Sequence, residues 1–333
     1  MKRDKRALER PAAPGESAGG RDSGHKGPMP RFAALAVVAG LAGILAGPAA
    51  ADWRHDLKFL RVGFLAGSSP AADLARLEPF RAYLADKLGV PVDLLPFPTY
   101  DSLIDAEVSD RVNYAINSAT SYATAEARCD CLDPVAAPTA FDGSRGFYAV
   151  LLVRADSPIR SLADVRGTRV AFSAPDSIAG RLVPMRALAA AGIDPATGFA
   201  ATLTESGPEA AVAALLSGEA DVAVAWSSLR GDPASGYSFG VLTRLVAGKR
   251  LSMDKVRILW QSGVIPFGPH ALRRDAPPEV KPIVMEALAA LAVESPDVLA
   301  AVDPTSFGGG GFVPAAAGDY AIIADLIVPP PAN

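Results

Sequence analysis

The stretch Arg169–Pro184, "RVAFSAPDSIAGRLVP", decides how the rest of the chain is read. A short apolar run, Arg169 to Phe172, has the pattern of a buried strand. A helical pattern follows and continues to about Ala191. Between them lie small residues and a hydroxyl, and Asp176 or Ser177 could cap the helix. Ala179 and Gly180 add nothing to a cap, but they let a guest approach the first backbone N–H groups. A strand, a small-residue loop and a helix in that order make one half of an α/β unit, with an anion as the candidate occupant of the helix start.

Working outward, the same alternation recurs. "LKFLRVGFL" (57–65) reads as a strand, and Leu74, Leu77, Phe80, Leu84 and Leu88 fall at helical spacing before Gly89. "VPVDLLPF", "VNYAI", "PVAAPTAF" and "GFYAVLLV" read as strands, with short helices over "TYDSLIDAEVS" and "SATSYATAEA". Beyond Ala191, "FAATLTE" and "ADVAVAW" are strands around the helix "GPEAAVAALLSG". "VRILWQSGVIPFGPHALR" reads as two returning strands, and "PPEVKPIVMEALAAL" and "PAAAGDYAIIADLI" as helices. Strands alternating with helices imply sheets covered on both faces. The expected fold is α/β with two lobes, each a mostly parallel sheet flanked by helices, and a ligand cleft between them. Residues 52–149 with 256–333 form the first expected lobe and 150–255 the second, hinged near Phe147–Val153 and Arg257–Pro266.

The first 51 residues differ in character. "MKRDKRALERPAAPGESAGGRDSGHKGPMPR" is charged and rich in Pro and Gly, and Met29 is an alternative start. The apolar run Phe32–Ala46 is shorter than the roughly 20 residues of a membrane span. Ala49-Ala50-Ala51 fits a cleavage site before Asp52, so a signal peptide and a periplasmic location are expected. The leader holds 8 of the 32 basic and 4 of the 36 acidic residues, so the remainder carries 24 and 32 and is near −8. That balance excludes a general basic field for nucleic acid, and an anionic ligand must be held by local groups. Cys129 and Cys131, "RCDC", are either a tight disulfide or two thiols.

Several loops at helix starts are rich in small hydroxyl residues: Ser68 and Ser69 in "GSSPAAD", Asn117, Ser118 and Ser121 in "INSATSY", and Ser177 to Gly180 in "PDSIAGR". Each such helix start presents unsatisfied donors and a positive dipole end. Tyr100 is a candidate phenol donor, stacking ring or packing residue, and one of Phe147 and Tyr148 faces the cleft while the other packs in the core. Arg181 is a charged fork or a solvated helix-surface residue, and Glu205 a partner for a ligand amine or protonated oxygen or a cap for the next helix. Catalytic signatures are missing. The one G-x-S-x-G match, Gly15–Gly19, lies in the leader, and no Walker A loop, H-E-x-x-H or dinucleotide fingerprint is present, so no enzyme, metal or cofactor is expected. The run "FGGGGF" (307–312) reads as a flexible surface loop.

In order and spacing, "LRVGFL", "LEPFRAYLADKLGVPVDLLPFPTYDSLIDA", "SYATAEA", "GSRGFYAVLLVRADSPIRSLADVRGTRVAFS", "SIAGRLVPMRAL" and "WQSGVIPFGPHALRRD" resemble the phosphate/phosphite/phosphonate-binding proteins of ABC importers. The resemblance covers roughly 57–289. It implies a type II periplasmic-binding-protein fold and a monomer that hands a small anionic solute to an inner-membrane permease. By position it assigns Tyr100, Ser177 and Gly180 to the site, with Ile178 and Ala179 where the family has further hydroxyls. Phe147, Pro208 and Gly268 stand where the family has a tyrosine, a histidine and an acid, which implies a less polar pocket. An alternative on the same lobes is a sensor presenting its ligand to a membrane kinase or chemoreceptor.

Overall fold

The computed structural model describes residues 52–303 and 309–327. The expected leader, signal peptide and cleavage point fall outside the described residues, apart from Asp52. The chain runs α1 (Trp53–Leu57), β1 (Leu60–Leu65), α2 (Pro70–Leu88), β2 (Val92–Phe97), α3 (Tyr100–Val108), β3 (Tyr114–Ile116), α4 (Ala119–Cys129), β4 (Leu132–Pro138) and β5 (Gly146–Arg154). It continues through β6 (Arg169–Phe172), a π turn (Ile178–Leu182), α5 (Val183–Ala190), β7 (Ala201–Thr204), α6 (Pro208–Ser217), β8 (Val222–Ser227), α7 (Val241–Ala247), β9 (Val256–Gln261) and β10 (Ile265–Pro266). It ends with β11 (His270–Arg273), α8 (Val280–Glu294), α9 (Pro296–Val302), β12 (Phe312–Pro314) and α10 (Ala321–Ile327).

Two six-stranded sheets result. The first has the order β12-β4-β11-β3-β1-β2, and the second β10-β5-β8-β6-β7 with β9 also on β5. The mostly parallel expectation holds for strand direction and fails for pairing. Four strands of the first sheet run one way, with β11 and β12 reversed. Five of the second run one way, with β5 reversed. Because the reversed strands are inserted among the others, hydrogen-bonded neighbours are mixed. A returning strand needs no crossover helix, which is why the two strands expected over 256–273 become three, β11 rejoining the first sheet.

The expected lobe breaks also move. β5 in full, and β9 with β10, pair within the second sheet, whereas 146–149 and 256–266 are expected in the first lobe. The chain passes between sheets at 138–146 and again at 266–270.

Packing explains why these segments adopt these elements. On α2, Leu77, Phe80, Leu84 and Leu88 are fully buried, and Gly89 closes the helix with φ +69°. That face meets Val284, Leu288 and Leu291 of α8 against β1. In β5, Ala149 to Val153 are all fully buried, as a strand covered on both faces requires. Helices α5, α6 and α7 cover it with Leu188, Leu215 and Leu242. The glycine run is not a free loop over its described part. The Gly311 carbonyl accepts the Thr139 N–H at 2.8 Å, and Phe312 is buried in the first core as β12 begins; 307 and 308 lie outside the described residues. Cys129 and Cys131 are disulfide-bonded at the carboxyl end of α4. Among the described residues, no helix is long and apolar enough to cross a membrane.

Candidate functional site

The carboxyl ends of β1 and β3 open onto a cavity of about 370 Å³. Its lining includes Tyr100, Asn117 and Ser118, with Arg76, Phe267 and His270. Tyr100 is the first residue of α3 and is 40% exposed; its helix is capped by Thr99, whose Oγ1 accepts the Ser102 N–H at 3.2 Å. Ser118 caps α4 the same way, accepting the Ser121 N–H at 3.0 Å. That cap satisfies one amide and leaves those of Ala119 and Thr120, which a helix ladder cannot reach.

A buried chain of hydrogen bonds holds this helix start. Asn117 donates through Nδ2 to the Glu107 Oε1 at 2.8 Å, and the Ser121 hydroxyl donates to the Asn117 Oδ1 at 2.8 Å. The Ser118 N–H donates to the Ser121 Oγ at 2.9 Å. Ser121 therefore supports the site from beneath. Glu107 is 1% exposed and its Oε2 has no hydrogen-bond partner. Burial pushes its carboxyl up to about 7, against the opposing pull of the Asn117 hydrogen bond. His270, hydrogen-bonded through Nδ1 to the Tyr114 hydroxyl, is driven down to about 3 by burial and is neutral at neutral pH. Arg76 is held by Asp73 at 3.2 Å and by the Ala301 carbonyl.

The other expected residues lie elsewhere. Ser68 and Ser69 are exposed on the loop before α2, where the Gly67 N–H is taken by Asp73 at 2.8 Å and Ser69 makes no cap hydrogen bond. Ser177 caps the π turn, accepting the Gly180 N–H at 3.1 Å. A Cβ on Gly180 would lie 2.5 Å from the Ser173 Oγ and 2.6 Å from the Ser177 Oγ, so the close approach admitted there is that of the protein's own hydroxyls. Ile178 and Ala179 join an apolar cluster with Val183, Ile265, Ile323 and Ala123 of α4. Arg181 donates to the Thr204 Oγ1 at 3.1 Å and lies over the Phe172 ring. Glu205 follows β7, its N–H on the Phe172 carbonyl at 2.8 Å. None of Ser177 to Arg181 lines the cavity. The single anion cradle expected from several helix starts is thus split, because apolar side chains fill the space beside the second one.

The departures from the family pattern have structural reasons. Phe147 packs at 5.1 Å from the Trp226 ring and 6.1 Å from Phe267, in an aromatic group a phenol would not need. Gly268 lies so close to the start of α4 that a Cβ would sit 1.9 Å from the Asn117 carbonyl oxygen, and no acid fits there. Pro208 opens α6, where its missing N–H costs nothing. Arg76 and His270 were not foreseen. The Asp73/Arg76 spacing was a visible signal; the position of His270 depends on β11 entering between β3 and β4.

Among the described residues, no group of three or more His, Cys, Asp or Glu is placed to hold a metal ion. Two structures of XAC2383 from Xanthomonas citri share this fold. The one bound to chloride ion is 22% identical with a TM-score of 0.55, over 81% of this chain and 96% of that one. The one bound to ATP is 21% identical with a TM-score of 0.56, over 81% and 95%. A phosphonates-binding periplasmic protein of Escherichia coli K12 is 27% identical over 222 residues, 66% of this chain. The match spans 62% of that relative's length. Residues 62–320 match the family described as "ABC transporter, phosphonate, periplasmic substrate-binding protein". With two α/β sheets joined by two chain crossings and a cavity at the strand ends, the chain belongs to this family of periplasmic substrate-binding proteins.

Proposed function

We propose that the protein is the extracytoplasmic solute-binding component of an ABC importer and captures a small oxyanion of the phosphonate, phosphite or phosphate class. The observation that carries this reading is the cavity at the start of α4, lined by Tyr100, Asn117 and Ser118 beside amides that a helix leaves unsatisfied. The lobes are 52–138 with 270–303 and 309–327, and 146–266, and they close about the crossings between 138 and 146 and between 266 and 270. The closed form is favoured only by the solute's differential affinity for it. The chain matures by cleavage near Ala51–Asp52, acts as a monomer in the periplasm and delivers its solute to an inner-membrane permease.

A thermal-shift screen of residues 52–333 tests this against phosphate, phosphite, alkylphosphonates, aminoethylphosphonate, sulfonates and carboxylates. A ligand at a hundred times its Kd adds about 2.7 kcal/mol of stability. Ser118→Asp places a carboxylate at the cavity and removes the shift. A shift unchanged in that variant moves the site elsewhere, and no shift with any oxyanion ends the assignment.

A further inference from the structure

Tyr148 was expected in the solute cleft. Adjacent strand residues face opposite sides of a sheet, and Phe147 is on the side of Trp226 and Phe267. Tyr148 instead lines a separate concavity of about 310 Å³, which shares no lining residue with the cavity at α4. Its lining comes from the first crossing (Ser144, Arg145), from β5 (Tyr148), from the loop after β8 (Ser228, Arg230) and from Val264 before β10.

The chemistry of this lining is that of a donor set. Neither Arg145 nor Arg230 has a carboxylate oxygen within 4.0 Å among the described residues. Other arginines of the protein are tied down: Arg169 pairs with Asp221 at 2.7 Å, and Arg274 reaches Glu126, Asp130 and Asp133. Ser144 is 4% exposed, and its Oγ makes no hydrogen bond of ordinary geometry although the Asp142 carboxylate is beside it. Ser228 is fully buried, and its Oγ already accepts long hydrogen bonds from the Arg230 and Phe239 N–H groups, which leaves its proton to donate. No acid is among the lining residues, and Asp142 stands beside them. Its carboxyl is raised by partial burial, but the hydrogen bond from the Ser144 N–H and the charge of Arg230 outweigh this and hold it low. Two guanidinium groups and no carboxylate among the lining residues make that lining net positive, in a protein whose remainder beyond the leader is near −8. Two planar forks and hydroxyl donors in one lining suit a tetrahedral oxyanion.

We propose that this concavity is a second anion site, independent of the solute cavity, that takes a compact oxyanion of the phosphate class. An occupant there spans the first crossing and the second sheet, since Arg145 belongs to the one and Arg230 to the loop after β8. The inference does not rest on the solute reading.

Isothermal titration with inorganic phosphate and with pyrophosphate tests it, on the wild type, on Arg145→Ala/Arg230→Ala and on Ser118→Asp. The wild type and Ser118→Asp bind at this site with the same affinity, and the double alanine variant loses at least tenfold. Arg145→Lys/Arg230→Lys, which keeps the charge and loses the forks, falls between them, and it stands in if the alanine variant is unstable by circular dichroism. Titrations of the double variants that match the wild type overturn the proposal. So does a loss of all phosphate and pyrophosphate binding in Ser118→Asp, which would leave the cavity at α4 as the anion site.

Discussion

At the amino end of α4, Ser118 accepts the N–H of the residue three ahead; at the amino end of the π turn, Ser177 does the same. The local chemistry is shared, and both starts carry small residues after the cap. The surroundings separate them. Beneath α4 the next layer is polar: Ser121, Asn117 and the buried Glu107 form a continuous hydrogen-bond chain, and the outer side opens to a cavity. Around the π turn the next layer is Ile178, Ala179, Val183 and Ile323, and no residue of the turn lines the cavity at α4. A capping hydroxyl therefore identifies a helix start, and what the neighbouring elements pack against it decides whether that start can receive a ligand.

The strongest way to break the contrast is to fill the space that separates α4 from the second crossing. Gly268→Asp installs the acid that the resemblance implies at that position. With a Cβ 1.9 Å from the Asn117 carbonyl, it must displace either the crossing or the start of α4. The expected cost is about 3 kcal/mol or more in chemical denaturation. A cost below about 1 kcal/mol would mean that the crossing yields easily, and that the polar end of α4 is less firmly held than its hydrogen bonds indicate.

The next test addresses the polar layer itself. Glu107 has a folded pKa raised from 4.5 to about 7, so the folded protein holds that proton more tightly than the unfolded chain does. Its contribution is fully present below pH 4.5 and is lost as pH rises through about 7. His270 works the other way. Its depressed value, about 3 against 6.5, means stability that is present above pH 6.5 and lost as pH falls toward 3. Glu107→Gln keeps an acceptor for Asn117 and removes the ionisation. At pH 8 the variant is more stable than the wild type by on the order of 2 kcal/mol, and the gain disappears near pH 4.5. A gain independent of pH would assign the effect to packing.

The architecture was legible in the sequence because it is carried by runs that only one environment satisfies. Ala149 to Val153 suit a strand buried on both faces, and Leu77, Phe80, Leu84 and Leu88 suit one helix face. Tyr100, Asn117 and Ser118 were legible for a related reason, since a strand followed by a hydroxyl cap fixes which end of the sheet they occupy. Placing Ser177 and Tyr148 required more. Tyr148 differs from Phe147 only in which side of β5 it faces, and a single residue of register decides that. The apolar filling around Ser177 comes from α4 and α10, distant in sequence, and no local pattern announces it.

The smallest expected effect is the one that resolves the comparison most finely. Ser118→Ala and Ser177→Ala each remove an N-cap acceptor, and each costs about 1 kcal/mol of stability. If caps were all that these serines provide, the two variants would be indistinguishable. In the α4 case, however, the lost hydroxyl is also a cavity wall and a link to Ser121, so the loss extends to ligand. Titration with the solute found by thermal shift should show a larger drop in affinity for Ser118→Ala than for Ser177→Ala, at matched stability. Equal drops would mean that closure brings the π turn to the ligand after all. The contrast drawn here would then belong to one conformation, and the apolar cluster around Ile178 would be the contact that closure has to rearrange.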